Sequence, residues 1–299
     1  MQEHMRWRDG FIAVDWGTTN RRAYKIDASG ASIDEFEDSK GVLSVAKGEF
    51  PAAAAEIRTR LGDLPLLLAG MAGSNRGWVE APYVPCPAGI DDLVAKLVWA
   101  GEREAIVPGL SYEGGSHADV MRGEEVQLLG GIADGLIDPD TLVCHPGTHN
   151  KWVSLRKGRI DSFRTVMTGE LFAMLKDHSI LADLLGGKVD LGDAFTAGVS
   201  LGLSSQDLPA ELFTVRARVL LGKSRKEDAA SLTSGLLIGT DVRIGLSYPT
   251  SAQVTVVGRP ELTRLYAAAI GDAKRPVCEV DGERCFLAGI KHIAKRIMN

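Results

Sequence analysis

Two short turns in this sequence carry residue types that bind phosphate groups. Residues 15–20 have the sequence Asp-Trp-Gly-Thr-Thr-Asn, and residues 145–151 have the sequence His-Pro-Gly-Thr-His-Asn-Lys. Glycine lets backbone N–H groups approach phosphate oxygens, and threonine hydroxyls add hydrogen bonds. Either turn alone also fits a plain surface hairpin, but the pair predicts two turns that hold one triphosphate between them. The predicted phosphate-binding residues are Gly17, Thr18, Thr19, Gly147, Thr148 and Lys151.

Two further positions extend this prediction to a whole nucleotide and its metal ion. Asp15 stands at the end of an apolar run, and a carboxylate there can hold Mg²⁺ through water, because Mg²⁺ prefers oxygen ligands and keeps several waters. Gly258 follows the apolar residues 254–257 and precedes a helix start, which suits an adenosine group. Strand–glycine–helix junctions are common, so Gly258 has weight only together with the two turns. The predicted cofactors are ATP and Mg²⁺.

The elements that must position these residues repeat along the chain. Strands are predicted at residues 11–14, 21–26, 31–36, 64–69, 104–108, 141–144, 152–155, 160–166 and 254–257. Helices are predicted at residues 49–61, 91–99, 120–132, 262–270 and 287–297, with helical patterns dominating residues 169–246. The strand, Gly-Thr turn and strand that open the chain return near its middle. This repetition predicts an α/β fold of two domains, residues 1–135 and 136–299.

Composition limits the class of protein. The chain has 299 residues, of which 45% are hydrophobic, and its net charge of −5 gives no sign of a basic face for nucleic acid. Its apolar runs are too short to span a bilayer, and its first residues lack the apolar core of a signal peptide. The four cysteines are scattered, which favours a reduced, cytoplasmic protein. The predicted partner is a small molecule, and a homodimer is compatible with the sequence.

The order and spacing of the three turns resemble the actin-like ATPase superfamily, which includes sugar kinases, actin and chaperone ATPases. The resemblance implies an actin-like, ribonuclease H-like duplicated fold, with mixed sheets flanked by helices and a nucleotide cleft between two domains. The second turn departs from the pattern of the superfamily, because Cys144 and His145 stand where an acidic residue is usual. A metal role is therefore expected only of Asp15.

Four motifs narrow the resemblance to one family. They are Gly-Met-Ala-Gly-Ser at residues 70–74, Gly-Trp-Val-Glu-Ala-Pro-Tyr at residues 77–83, Asp-Val-Met-Arg-Gly-Glu-Glu at residues 119–125, and Pro-Gly-Thr-His-Asn-Lys-Trp at residues 146–152. They look like the 2-dehydro-3-deoxygalactonokinase family, and the resemblance covers nearly the whole chain. It implies ATP-dependent phosphorylation of the 6-hydroxyl of 2-dehydro-3-deoxy-D-galactonate, a step in galactonate catabolism.

The same resemblance implies which carboxylate acts as the base. In related carbohydrate kinases a Gly-Asp pair at this place supplies the base, so Glu124 inherits the role, with Asp119 in the same loop as the alternative. Capping of a helix N-terminus also explains acidic residues at these positions. The predicted catalytic residues are Glu124, Asp119 and Asp15.

A sugar acid also needs a carboxylate contact and a pocket for its hydroxyl groups. Arginine binds carboxylates in a bidentate manner, and Arg76 is the first choice, with Arg22 and Arg122 as alternatives that also fit structural ion pairs. The other predicted substrate contacts are Ser74, Trp78, Tyr83 and His149. Two other functions remain open from the sequence: a kinase of the same fold for another sugar, and a nucleotide-switched binding protein like actin or a chaperone ATPase.

Overall fold

A computed structural model describes residues 7–248 and 253–298 of the chain. The strands are β1 (Gly10–Trp16), β2 (Arg21–Asp27), β3 (Ser32–Asp38), β4 (Leu66–Gly70), β5 (Val84–Pro85), β6 (Val98–Trp99), β7 (Glu104–Ile106), β8 (Leu110–Gly114), β9 (His117–Met121), β10 (Leu142–His145), β11 (Asn150–Arg156), β12 (Arg159–Val166), β13 (Val254–Gly258) and β14 (Val277–Asp281). The α-helices are α1 (Phe50–Leu61), α2 (Ile90–Val94), α3 (Glu124–Ala133), α4 (Thr168–His178), α5 (Asp193–Ser204), α6 (Leu208–Leu220), α7 (Ala229–Gly245), α8 (Pro260–Asp272) and α9 (Gly282–Met298).

The first unit of the chain is built on a six-stranded mixed sheet. Its strand order is β3-β2-β1-β4-β7-β6, in which β1 and β2, and β2 and β3, are antiparallel, whereas β4 is parallel to both β1 and β7. The three strands predicted at residues 11–14, 21–26 and 31–36 are therefore confirmed, and they form an antiparallel meander. Apolar residues of β1 and β4 are buried throughout, as expected for strands that lie inside a sheet covered on both faces. A separate three-stranded sheet has the order β5-β8-β9.

The second unit repeats the arrangement of the first sheet. Its five strands have the order β12-β11-β10-β13-β14, with β10 antiparallel to β11 and parallel to β13, and with β13 parallel to β14. In both units a strand, a Gly-Thr turn and an antiparallel strand are followed by parallel strands. The internal duplication predicted from the sequence is present as a repeated sheet topology.

Each of the two compact units is made of segments that are not contiguous in the chain. The first runs up to Pro139 and includes Arg156–Ser162 and the chain from Gly282 onward, and the second comprises Asp140–Leu155 and Phe163–Asp281. The last helix, α9, thus lies with the first unit, whereas the sequence-based division at residue 135 grouped it with the second. None of the helices in the described ranges is long and apolar enough to cross a membrane.

Helices α3 and α7, which carry residues of the candidate site, each cross a neighbouring helix at a glycine. A Cβ atom at Gly130 of α3 would lie 2.2 Å from the backbone nitrogen of Gly289 in α9. In the second unit, a Cβ atom at Gly239 of α7 would lie 2.4 Å from the carbonyl of Val199 in α5. Side chains larger than hydrogen would push each pair of helices apart, so these crossings set the positions of α3 and α7.

Two predicted helices are wrong in part, and three further strands were missed. Residues 91–99 form the short helix α2 and then β6, which pairs with β7 at the edge of the sheet. In the stretch 120–132, Val120 and Met121 belong to β9, which pairs with β8, and the helix begins only at Glu124. Apolar spacing matched a helix in both places, but pairing with a distant strand decided the outcome. The strands β5, β8 and β14 were not predicted.

Candidate active site

The first predicted phosphate turn follows β1 in the first unit. Gly17 donates its N–H to the carbonyl of Asn20 (2.9 Å), and residues 41–43 donate three N–H groups to the carbonyls of residues 17–19 (2.9–3.2 Å). Thr18 and Thr19 are exposed, and in the described part of the chain their N–H groups have no hydrogen-bond acceptor. The turn is held by these bonds, which leave the N–H groups and hydroxyls of Thr18 and Thr19 for a ligand.

Asp15 and Arg22 form a charged pair beside this turn. Asp15 is half-buried at the end of β1 and lies opposite Arg22 of β2. Arg22 also lies 3.8 Å from a carboxylate oxygen of Glu37 and 3.6 Å from one of Glu283. Burial lowers the pKa of Arg22, but Asp15, Tyr24 and Glu37 raise it overall. Protein carboxylates therefore surround the Arg22 guanidinium, which fits a structural task better than contact with a substrate carboxylate.

The sequence predicts Asp15 as a magnesium ligand, which would act as a single protein carboxylate. Across residues 7–248 and 253–298, no group of three or more His, Cys, Asp or Glu side chains could hold a metal ion. Mg²⁺ at phosphate-transfer sites is commonly bound by one or two carboxylates together with waters and phosphate oxygens. The position of Asp15, half-buried at the edge of a phosphate-type turn, fits that mode.

The N-terminal end of α3 lies close to Asp15. A Cβ atom at Gly70, the last residue of β4, would lie 3.5 Å from Oδ1 of Asp15. Gly123, directly before α3, packs on Gly70, because a Cβ atom added at Gly123 would lie 3.3 Å from the Gly70 Cα. Glycine at both positions thus brings the first turn of α3, with Glu124 and Glu125, toward the Asp15 carboxylate.

The two glutamates of this turn have different environments. Glu124 is half-buried, and its Oε2 accepts the Arg122 N–H at 3.2 Å. Glu125 is fully buried; its Oε2 accepts the Gly123 N–H at 2.7 Å, and its Oε1 has no hydrogen-bond partner among the described residues. Burial, followed by the charge of Glu124, raises the pKa of Glu125 to about 8. Glu125 is therefore protonated at neutral pH, and Glu124 is the member of the pair that a ligand can reach.

Replacing Glu125 by Gln is expected to flatten the pH dependence of stability. Folding raises the pKa of Glu125 from 4.5 to about 8, so the folded state binds more protons than the unfolded state between those values. Its contribution to stability is full below the lower value and is lost as the pH rises through the higher one. Urea unfolding of both proteins from pH 5 to pH 9 measures the difference in slope. The exposed Glu102→Gln is the control, and parallel curves for wild type and Glu125→Gln would contradict the assignment.

Asp119, the alternative base, belongs to the three-stranded sheet, whereas Asp15 belongs to the six-stranded sheet. It lies on β9, opposite Tyr112 of β8, and its Oδ1 accepts the N–H of Val120 at 2.8 Å. The strand continues through Met121 to the turn that opens α3, so Asp119 and Glu124 are close in sequence but are carried by different elements. Glu124 lies at the helix terminus near Asp15, whereas Asp119 does not. The role of either residue as the base remains a prediction.

The loop of residues 73–83 contains predicted substrate contacts of two kinds. Ser74 is buried and accepts the Arg76 N–H at 3.3 Å, and Trp78 stacks on Phe50 at 6.3 Å between ring centroids, so both help to anchor the loop. Arg76 is exposed, and its guanidinium makes no hydrogen bond or ion pair in the described part of the chain. Tyr83 is 41% exposed. Arg76 and Tyr83 are thus the members of the set that a ligand can contact.

Arg122 connects this loop to the turn before α3. Its Nη2 donates to the carbonyl of Ala81 at 2.8 Å, and its guanidinium lies over the Tyr83 ring at 4.4 Å. A Cβ atom at Gly73 would lie 2.8 Å from Nη1 of Arg122, so the guanidinium also packs tightly against the loop backbone. These contacts brace the loop against the residues that precede Glu124. Because Nε and Nη1 of Arg122 are buried and have no hydrogen-bond partner among the described residues, substrate contact by Arg122 remains a prediction.

The second predicted turn lies in the second unit, between β10 and β11. Thr148 is exposed, and among the described residues the N–H groups of residues 147–149 have no acceptor. The turn is held through its carbonyls, since Glu170 donates its N–H to Thr148 (3.0 Å) and the Lys151 Nζ donates to His149 (3.0 Å). Nε2 of His149 is 2.5 Å from the Glu170 carboxylate. Lys151 is only 4% exposed, so it supports the turn, whereas Gly147, Thr148 and His149 are accessible.

An apolar cavity adjoins this turn within the second unit. It has a volume of about 200 Å³, and its lining includes Gly147, Phe172, Leu237, Leu262, Leu265 and Tyr266. Gly258 lies nearby, because a Cβ atom there would be 3.8 Å from Pro146 and 3.5 Å from the Thr263 methyl group. The predicted adenosine position is thus beside the second turn, and the structure adds a cavity that no sequence signal indicated.

Sequence reasoning missed two buried carboxylates. Glu125 was overlooked because its neighbour carries the motif, and Asp241 because it lies inside a long apolar helix, far along the chain from the turns. Asp241 is completely buried and accepts hydrogen bonds from Asn150 and Trp152, which directly follow the second turn. An aspartate within an otherwise apolar helical stretch was the one signal that could have identified it, since buried charges are rarely unpaired.

Comparisons with known sequences agree with this geometry. The model of the family described as 2-keto-3-deoxy-galactonokinase matches residues 15–293. The 2-dehydro-3-deoxygalactonokinase of Escherichia coli strain K12 is 39% identical over 293 residues, which span 97% of this chain and 99% of that protein. The match includes both phosphate-type turns, the loop of residues 73–83 and the turn before α3.

Solved structures agree at the level of the fold. A Sinorhizobium meliloti protein, assigned provisionally as a 2-dehydro-3-deoxygalactonokinase, has a TM-score of 0.90 at 34% identity, with 96% of this chain and 99% of that chain covered. The activator of the 2-hydroxyisocaproyl-CoA dehydratase from Clostridium difficile, solved with bound ADPNP, has a TM-score of 0.52 at 12% identity, with 96% and 95% covered. The second likeness shows the fold alone. With the repeated sheet topology, it confirms the predicted actin-like fold.

Proposed function

This chain belongs to the 2-keto-3-deoxy-galactonokinase family, and we propose that it transfers the γ-phosphoryl group of ATP to the 6-hydroxyl of 2-dehydro-3-deoxy-D-galactonate. The observation that carries the proposal is the presence, in a chain of this family, of two Gly-Thr turns in which the N–H groups of Thr18, Thr19, Gly147 and Thr148 have no acceptor among the described residues. The product is the 6-phosphate, and the reaction is a step of galactonate catabolism. The four cysteines are free, which is compatible with a cytoplasmic enzyme.

The second unit offers the features that a nucleotide needs. The apolar cavity of about 200 Å³ suits a flat nucleobase, with Leu262 and Leu265 as apolar walls. The adjoining N–H groups of Gly147 and Thr148 are placed to bind phosphate oxygens. We assign the adenosine group to this cavity, and we assign phosphate contacts to the adjoining turn of the same unit.

Asp15 is the proposed holder of the magnesium ion. Held there, Mg²⁺ would neutralise the negative charge that develops during phosphoryl transfer. The Asp15 carboxylate sits beside a phosphate-type turn, and Arg22 holds its position from the neighbouring strand. This arrangement supports the assignment, and it requires no other protein ligand.

Glu124 is the proposed general base. In phosphoryl transfer, the protein mainly positions the reactants and stabilises charge, but a carboxylate near the attacking hydroxyl accepts its proton. Glu124 is half-buried at the start of α3, and the protonated Glu125 beside it adds no second negative charge at neutral pH. The 6-hydroxyl of the sugar acid would donate its proton to the Glu124 carboxylate as the phosphoryl group arrives in line.

Replacing Arg76 by Lys is expected to raise the KM for the sugar acid about tenfold, with kcat changed little. Arg76 is exposed on the loop of residues 73–83 and can offer two parallel N–H groups to the substrate carboxylate, whereas lysine offers a single point charge. Steady-state kinetics at saturating ATP measure the effect. Arg218→Lys, an exposed arginine of α6, is the matched control. An unchanged KM in Arg76→Lys would remove Arg76 from the substrate site.

A product assay tests the proposed function directly. The purified chain is incubated with ATP, Mg²⁺ and a panel of 2-keto-3-deoxy acids and neutral hexoses, and the products are identified by mass. We expect a monophosphate of 2-dehydro-3-deoxy-D-galactonate at the 6-position. Phosphorylation of a neutral hexose alone would favour a kinase of the same fold for another sugar. ATP turnover that ignores every sugar and needs a protein partner would favour a nucleotide-switched binding protein.

A further inference from the structure

A single buried carboxylate collects hydrogen bonds from several elements of the second unit. Asp241 lies within α7, is completely buried, and accepts from four side chains. The donors are the Asn150 Nδ2 (2.9 and 3.0 Å), the Trp152 Nε1 (2.7 Å), the Thr168 Oγ1 (2.5 Å) and the Tyr266 hydroxyl (2.6 Å). A carboxylate has about four acceptor sites, so these donors saturate it.

These donors belong to the elements that flank the second turn. Asn150 begins β11, directly after the turn, and Cys144 on β10 lies 3.5 Å from its side-chain oxygen, so the amide is fixed from both sides. Thr168 begins α4, and its neighbour Gly169 packs on the turn, where a Cβ atom would lie 2.6 Å from the Gly147 carbonyl. Asp241 therefore connects the strand that leaves the turn with the helix that packs on it.

The fourth donor connects the same carboxylate to the apolar cavity. Tyr266 is on α8 and lines the cavity, and its hydroxyl points to Asp241 rather than into the cavity. Thr168 lines the cavity as well. One carboxylate thus fixes both the turn assigned to phosphate and two side chains of the cavity assigned to adenosine.

Stability alone does not account for a charge at this position. Well-packed apolar residues in place of a buried ionic group are often neutral or stabilising, because the charge must give up its hydration. Burial also raises the pKa of Asp241, and the four hydrogen bonds oppose that rise. A carboxylate can hold several hydrogen-bond donors in a fixed geometry at once, and an apolar side chain cannot.

We propose that Asp241 is a positioning residue for nucleotide binding. It fixes the position of the second phosphate turn relative to the adenosine cavity. The inference rests on the proposed function of this unit as the nucleotide-binding part of the kinase. Asp241 touches neither nucleotide nor sugar acid and acts through Asn150, Thr168 and Tyr266.

Variants that remove one donor at a time test the proposal while leaving the carboxylate in place. Thr168→Val and Tyr266→Phe each delete one hydroxyl and keep the shape of the side chain. The control is Thr233→Val, a completely buried threonine of the same helix as Asp241 whose hydroxyl has no partner among the described residues. Calorimetry with AMPPNP and Mg²⁺ gives the nucleotide Kd, kinetics give the KM for the sugar acid, and thermal unfolding gives the Tm.

We expect Thr168→Val and Tyr266→Phe each to raise the nucleotide Kd about tenfold, with the sugar-acid KM within about twofold of wild type. Thr233→Val should change neither the nucleotide Kd nor the sugar-acid KM. Asp241→Asn, which turns an amide toward the donors, should raise the nucleotide Kd by more than either single variant. A lower Tm with an unchanged Kd, or equal changes for both substrates, would show that Asp241 is only structural and overturn the proposal. A wild-type chain that binds no AMPPNP would instead overturn the proposed function itself.

Discussion

Glu124→Gln is expected to lower kcat by about 10²–10⁴-fold while leaving the KM for the sugar acid within about twofold. The amide keeps the size of the side chain and can still accept the Arg122 N–H that Glu124 accepts in the structure. It cannot accept the proton of the attacking hydroxyl, so the loss falls on the chemical step. Steady-state kinetics with saturating ATP and Mg²⁺ measure the change, and single-turnover experiments show whether transfer itself has slowed.

The neighbouring glutamate provides a control that differs by one position. Glu125 is buried and protonated at neutral pH, so Glu125→Gln replaces one neutral group by another and should retain most of the rate at pH 7. Asp119→Asn separates the two candidate bases. Full activity in Glu124→Gln together with a dead Asp119→Asn would transfer the role of base to Asp119.

Asp15→Asn is the second substitution with a large expected effect, a loss of kcat of at least about 10²-fold. An asparagine side chain is a much weaker ligand for Mg²⁺ than a carboxylate, and it also leaves Arg22 without one of its negative neighbours. The concentration of Mg²⁺ needed for half-maximal rate should therefore rise. Titration of activity with Mg²⁺ at fixed ATP measures both effects in one experiment.

The comparison for Asp15 is another aspartate of the same sheet. Asp34 is exposed on β3, and in the described part of the chain its Oδ1 accepts only the N–H of Glu35. Asp34→Asn should leave the rate and the Mg²⁺ dependence unchanged. If Asp15→Asn keeps the wild-type Mg²⁺ titration and loses activity only through a lower Tm, its carboxylate has a structural task rather than a metal-binding one.

Local sequence was sufficient for the parts of the fold that local chemistry decides. The strand, Gly-Thr turn and strand at residues 11–26 and again at 141–155 are present as predicted, because apolar alternation and glycine turns act over a few residues. Family membership also followed from short motifs, and the comparison with known sequences confirms it. The site assignments built on those motifs remain predictions until the variants are measured.

Prediction failed where a distant partner decided the structure. Residues 98–99 and 120–121 have apolar spacing that suits a helix, yet they pair as strands with β7 and β8. Nothing within either segment specifies those partners. The same holds for β14, which forms because β13 offers it a parallel edge.

The sequence by itself determined which residue types stand at the two turns and at the start of α3, and these fix the kind of chemistry available. Only the tertiary structure decided how those types are used. Burial made Glu125 a neutral neighbour of Glu124, carboxylates of the protein surrounded Arg22, and the Ala81 carbonyl engaged one of the three guanidinium nitrogens of Arg122. It also brought Asp241 to the second turn from about ninety residues away in the chain. The physical reason is that pKa, ion pairing and access to a ligand depend on everything within a few ångströms, and most of those neighbours are distant in sequence.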